Sequence, residues 1–265
     1  MMTTTPGAPV HVVALPSPAC DGNTAPPPEG SNPIQVNGVS RSFVLHVPPG
    51  YDRKTPFPLV MAYHGKGDLA LNLDGENFKF KSVGGAKNVL VYPQALPDPN
   101  LANNTSFERD PADDLIFIDA LLASLKTSVC FDTARVFALG HSLGSTFVQT
   151  LACERGNVLR GIATQGGDPG MMTGCKSAMA TWVGYGLMDS SNEITASKAR
   201  RDFWITANLC NTNGQTPGNP APPCVIYSCA TGYPVEWCEE PAGTHKWSPW
   251  MTQSIFDFFG AFVSP

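Results

Sequence analysis

The run Arg135-Val136-Phe137-Ala138-Leu139-Gly140-His141-Ser142-Leu143-Gly144, continued by Ser145-Thr146-Phe147-Val148-Gln149-Thr150-Leu151-Ala152-Cys153, decides the fold class. Its first half is an apolar segment of strand length. Its second half, Ser145–Cys153, has helical character, and the pattern Gly-x-Ser-x-Gly lies between them. A serine on so tight a strand-to-helix turn has a strained backbone, which flanking glycines tolerate, and its hydroxyl projects above the sheet. The helix behind it offers free N–H groups and a positive dipole end to a developing oxyanion. Ser142 is therefore the candidate nucleophile, and the N–H of Leu143 a candidate oxyanion donor. The plainer alternative is an ordinary glycine-rich turn, and the strand before it and helix after it argue against that.

Outward from this turn the chain alternates. Short apolar runs at Arg41–Val47, Pro58–His64, Val89–Tyr92, Gly161–Thr164 and Thr181–Tyr185 read as strands. Asp114–Leu125 carries Leu115, Ile118, Leu122 and Leu125 on one helical stripe, and Ile255–Phe262 reads as a closing amphipathic helix. Strand–helix alternation over this length predicts an α/β fold with a mostly parallel central sheet and helices on both faces. Residues 1–32, rich in Pro, Gly, Ser and Thr, read as an extended N-terminal arm, and residues 33–265 as a single catalytic domain. The Gly/Pro/Asn-rich stretch 211–224 reads as a surface loop.

Composition excludes several function classes. The 265 residues hold 17 basic and 22 acidic side chains, a net charge of −5, with only 15% charged overall. An acidic balance without a basic run argues against nucleic acid or an anionic membrane as partner, and no apolar stretch approaches the roughly 18 residues of a membrane span. The eight cysteines form no Cys-x-x-Cys pair, which removes the usual zinc spacing and favours an oxidised, secreted protein with up to four disulfides. Overlapping sequons at Asn103 and Asn104 agree with glycosylation and secretion. Met1-Met2 leads into Thr and Pro rather than an apolar leader, so the chain reads as a mature form. No cofactor or metal is implied, and the chain reads as a monomer.

A serine hydroxyl needs a base. Five histidines are available: His11 in the arm, His46 inside a strand, His64 at the end of another, His141 beside the serine with its side chain expected to point away, and His245. Only His245 lies downstream, in Gly243-Thr244-His245-Lys246 before the last helix. The chain order serine, acid, histidine of serine-elbow sheets selects it. The acid then lies between them. Asp189, which closes the run Ala180–Met188, is favoured. Asp168, after the preceding strand, is the rival, whereas Glu193 and Asp202 read as surface charges on the next helical stretch. The acid's role is to hold the imidazole tautomer and stabilise the imidazolium. A second oxyanion donor is expected from His64-Gly65-Lys66-Gly67 after the Pro58–His64 strand, with Gly65 and Lys66 both open. Tyr185, Trp247 and Trp250, close in sequence to the acid and the base, are candidate substrate-binding aromatics, with core packing as the competing reading.

These residues resemble a known group. Arg41–Tyr51, His64-Gly65, Val91-Tyr92-Pro93-Gln94, the run Asp113–Leu122 and Cys130-Phe131-Asp132 ahead of the serine turn are together similar to carbohydrate esterase family 1. Within it they are most similar to the secreted fungal feruloyl esterases, relatives of polyhydroxybutyrate depolymerases and acetyl xylan esterases. The resemblance spans roughly residues 34–260. It implies a disulfide-stapled α/β-hydrolase with a Ser142, Asp189, His245 triad and no cofactor. The implied reaction releases hydroxycinnamic acids from feruloylated plant cell-wall polysaccharide. It also implies a Cys130–Cys153 bridge, the other six cysteines remaining unassigned. Acetyl xylan or a polyester with the same triad is a second reading, and a catalytically dead scaffold used for binding a third.

Overall fold

The computed structural model describes residues 10–107, 111–220 and 223–263. Ten strands form one sheet: β1 (Gly30–Val36), β2 (Val39–His46), β3 (Phe57–Tyr63), β4 (Val89–Pro93), β5 (Phe131–His141), β6 (Gly161–Gln165), β7 (Ala180–Gly186), β8 (Cys210–Pro217), β9 (Cys224–Cys229) and β10 (Val235–Glu240). Their spatial order is β8-β9-β10-β7-β6-β5-β3-β4-β2-β1. The six strands from β4 to β10 in that order run parallel, and antiparallel hairpins extend the sheet at both edges. Among the described residues five α-helices accompany it: α1 (Phe80–Gly84), α2 (Pro111–Ser128), α3 (Leu143–Glu154), α4 (Ser191–Ala207) and α5 (Pro249–Gly260). This is the α/β-hydrolase architecture.

The central strands are buried on both faces, so they read as continuous apolar runs rather than alternating ones. Every residue of β4 and β7 is buried. Two apolar layers flank the sheet. One packs Leu115, Ile118, Leu122 and Leu125 of α2 with Phe147 and Leu151 of α3 and Trp204 of α4. The other packs Met251, Ile255 and Phe259 of α5 against Val60, Phe137 and Trp182. Arg41 on β2 is buried in the first layer, where it pairs with Asp114 at 2.5 Å and lies 4.0 Å from the Phe117 ring centroid.

The stretch read as a surface loop, 211–224, is in large part β8, an edge strand whose Asn, Gly, Gln and Thr residues carry no apolar signal. It pairs with β9 and is fastened by Cys210–Cys229. The N-terminal segment is tied along the start of β5. Pro16 bridges to Asp132, Ser17 N–H donates to the Phe131 carbonyl at 2.9 Å, and Val10–His11 pairs with Phe262–Val263. This path delivers Cys20 to Cys130. The Cys130–Cys153 bridge implied by resemblance is therefore not formed. Cys153, at the end of α3, faces the loop after β6 and bonds Cys175 instead. The fourth pair is Cys224–Cys238. Closing the 110-residue interval between Cys20 and Cys130 removes unfolded-state entropy worth about 4–5 kcal/mol.

Next to the Cys224–Cys238 bridge, Glu236 of β10 is 2% exposed, and its Oε1 accepts the Asn219 N–H at 2.8 Å. Burial pushes its carboxyl up to about 7, the like charge of Asp257 adding to the effect. Because the folded value lies above the ordinary 4.5, the folded state holds a proton that the unfolded chain releases. Stability is then lost as pH rises through about 7. Glu236→Gln, which cannot ionise, is expected to be more stable than the native chain at pH 8 by on the order of 3 kcal/mol. The difference should vanish at pH 4, and denaturant unfolding at the two pH values measures it.

Candidate active site

The turn between β5 and α3 holds Ser142 at φ 56°, ψ −127°, a positive-φ conformation that a side-chain-bearing residue rarely takes. Its two glycines are sterically required. A Cβ on Gly140 would stand 2.4 Å from the Gly144 carbonyl, and one on Gly144 would stand 2.2 Å from the Tyr63 carbonyl oxygen. The main chain is closed by the Ser142 N–H, which donates to the Gln165 carbonyl at 2.9 Å. The Ser145 hydroxyl donates to the Gly140 carbonyl at 2.6 Å. Leu143 begins α3, so its N–H has no partner within the helix.

His245 comes from the loop between β10 and α5. Its Nε2 is 2.9 Å from Ser142 Oγ, and its Nδ1 is 3.1 Å from Asp189 Oδ2. The Asp189 carboxylate is 5% exposed and also accepts the Ser190 N–H at 2.7 Å, whereas the His245 side chain is 40% exposed. Ser142, His245 and Asp189 thus form one hydrogen-bonded chain. Asp168, the rival acid, is exposed and takes part through its carbonyl, which accepts from Thr146 Oγ1 at 3.3 Å.

A cleft of about 270 Å³ opens over Ser142, lined by Gly65, Lys66, Gly67, Asp68, His141 and His245. Gly65 stands close to the serine: a methyl group placed on it would lie 3.2 Å from Ser142 Cβ. The Gly67 N–H is already engaged by the Thr105 carbonyl at 2.9 Å. Two further histidines hold this frame. His64 donates from Nδ1 to the Gly65 carbonyl at 2.8 Å, and its Nε2 accepts the Ala95 N–H at 3.2 Å. Burial lowers its pKa, which suits a neutral ring with one donor and one acceptor. His141 does not point away, as the sequence suggested. Its Nε2–H donates to the His245 carbonyl at 2.8 Å, and burial holds its pKa down to about 4, so it stays an uncharged donor. No spacing rule reveals this role, because the contact joins residues 104 apart.

The three candidate aromatics do not line the cleft among the described residues. Tyr185 is fully buried with its ring against Trp237, and its hydroxyl donates to Glu239 at 3.0 Å. Trp247 is buried between Phe78 and Phe80 and donates to Thr252 at 2.9 Å, and Trp250 packs toward Trp182. Large rings next to buried strands and helices gain most by joining the core. Glu193 corrects the sequence reading in the other direction. It is not a surface charge: its side chain is 22% exposed, and Oε1 lies 4.0 Å from His245 Nδ1. Beneath it Arg200 is wholly buried, donates to the Gly166 and Gly167 carbonyls at 2.5 and 3.0 Å, and has its pKa pushed down to about 10 by burial. Among the described residues two groups bring three possible metal-ligand atoms within 4.8 Å. One contains the disulfide-bonded Cys224 and Cys238, which offer no thiolate; the other is Asp189, Glu193 and His245.

Fold and site together define a serine carboxylic ester hydrolase of the α/β-hydrolase class. No family model matches the chain. Individual relatives do. Feruloyl esterase D of Neurospora crassa is 24% identical over 253 residues, covering 86% of this chain and 84% of the relative. Feruloyl esterase C of Emericella nidulans is 28% identical over 193 residues, covering 68% of each. A carbohydrate esterase family 1 ferulic acid esterase from Anaeromyces mucronatus, solved with ferulic acid, superposes with a TM-score of 0.61 over 90% of this chain and 93% of that one, at 14% identity. Over most of its length the chain is thus similar to feruloyl esterases.

The two kinds of glycine in the site are separable by experiment. Gly144→Ala forces a methyl into the Tyr63 carbonyl and is expected to destabilise by more than about 4 kcal/mol or prevent folding. Gly65→Ala meets only a tight contact beside Ser142, so it should fold with a near-native melting temperature. Its kcat for p-nitrophenyl acetate should fall by about 10–100-fold as the loop shifts. Thermal melts and hydrolysis rates on the two variants check both expectations.

Proposed function

We propose that the protein is a secreted feruloyl esterase that works through an acyl-enzyme on Ser142. The observation that carries the proposal is the hydrogen-bonded chain Ser142–His245–Asp189, with spacings of 2.9 and 3.1 Å, set on a positive-φ turn. In the first half-reaction Ser142 Oγ attacks the ester carbonyl carbon while its proton passes to His245 Nε2. The negative charge grows on the carbonyl oxygen, where the Leu143 N–H and a donor from Gly65 or Lys66 receive it. The ester C–O bond then breaks, and the Nε2 proton goes to the departing alcohol oxygen. Water repeats the sequence on the acyl-serine, which frees the carboxylic acid and restores the hydroxyl. Asp189 remains ionised throughout, fixing the tautomer with the proton on Nδ1.

The substrate class rests on the relatives, which are feruloyl esterases by name. Four disulfides among the described residues support an oxidising, extracellular setting. Ser142→Ala should lower hydrolysis of methyl ferulate by about 10⁴-fold or more while leaving the melting temperature near native. Retained activity would overturn the mechanism. A panel of methyl ferulate, methyl sinapate, acetylated xylan and p-nitrophenyl acetate assigns the acyl group. Acetate release without hydroxycinnamate release would reject the feruloyl substrate and keep the serine chemistry.

A further inference from the structure

Helix α4 begins with Ser190-Ser191-Asn192-Glu193, the sequence of a capping box. Half of that box is made: the Ser190 hydroxyl accepts the Glu193 N–H at 3.3 Å. The reciprocal half would have the Glu193 carboxylate accept the Ser190 N–H. That N–H is taken by Asp189 Oδ1 at 2.7 Å. Displaced from its capping partner, the Glu193 side chain turns toward the base. Its Oε1 lies 4.0 Å from His245 Nδ1, and its Oε2 is buried without a hydrogen-bond partner. The Gly167 N–H reaches the same carboxylate. Arg200, two turns along α4 and wholly buried, adds an attractive charge. An orphaned oxygen is costly to keep beside the imidazole of a reactive site unless it has a task there.

We propose that Glu193 is a second carboxylate for His245, a positioning residue that shares the Nδ1 edge of the ring with Asp189 and supports the imidazolium when Asp189 is lost. This rests on the reading of His245 as the general base. The charged and titratable groups around the pair are Asp189, Arg200 and, farther off, Asp168, His141 and Asp68. Burial and the like charge of Asp189 raise the Glu193 carboxyl, while the His245 ring, the Gly167 N–H and Arg200 oppose them. A carboxylate this close favours the protonated ring, so removing it makes the ring harder to protonate.

The test uses the full chain and p-nitrophenyl acetate, with kcat/KM profiled against pH for the native chain, Glu193→Gln, Glu193→Asp, Asp189→Ala and the Asp189→Ala, Glu193→Gln double variant. In Glu193→Gln the acid limb should move to lower pH by about half a unit or more, and Glu193→Asp should restore part of that shift. Asp189→Ala should keep measurable activity, and adding Glu193→Gln should cost at least about 10-fold more there than in the native background. A residue that only starts helix α4 would lower the melting temperature, leave the acid limb in place and give additive losses. That result overturns the inference while leaving the serine mechanism intact. Ser142→Ala measured alongside keeps the two apart: if it remains active, the esterase reading fails first.

Discussion

The contact on which the site depends is between two main chains. The Cα of Gly144 lies so close to the ends of β3 that even a methyl group would collide with the Tyr63 and His64 carbonyls. That approach lets the first turn of α3 rest directly on the end of β3. It brings the start of α3 and the Gly65 loop together beside Ser142. In the proposed mechanism these are the two sources of oxyanion donors, and an ångström of extra separation between them would lower the rate. The absence of a side chain at 144 follows from this crossing, and that at 140 from the approach of the Gly144 carbonyl and the Ser145 nitrogen.

Around it the protein spends uncharged, buried polar groups. His64 shapes the Gly65 loop and His141 holds the His245 backbone, and burial favours the neutral form of each. Ser145 fastens β5 to β6 through the Gly140 and Gln165 carbonyls. The apolar layers on the two faces of the sheet supply the support behind these bonds, and disulfides fasten the N-terminal stretch and the β8–β9 hairpin. Stability and chemistry are thus divided. Core rings such as Tyr185 and Trp247 serve the first, although their sequence positions flank residues that serve the second.

What was legible in the sequence follows from that division. The turn at Ser142 is written in adjacent residues, as are the apolar strands and the Leu115–Leu125 stripe, so local pattern reached them. The pairing of His245 with Asp189 was reachable by chain order. The edge strand Cys210–Pro217 was not, because it gains its stability from a neighbour and a disulfide rather than from burial of its own side chains. Nor were the roles of His141 and Glu193. Each depends on a contact across distant segments, and for Glu193 on which N–H another residue had already taken. The bridge carried over from resemblance failed because cysteine pairing follows the path of an irregular segment, which no local pattern records.

The bond from His141 to the carbonyl of His245 has a mechanical consequence. Residue 142 grips the ring of residue 245, and residue 141 grips its backbone. Ser142 and His245 are therefore mounted on one bracket. When the 243–246 loop sways, separating the two groups means breaking two bonds, whereas moving them together breaks neither. Thermal motion of the loop is channelled into displacement of the pair as a unit, and their separation is the quantity best shielded from it.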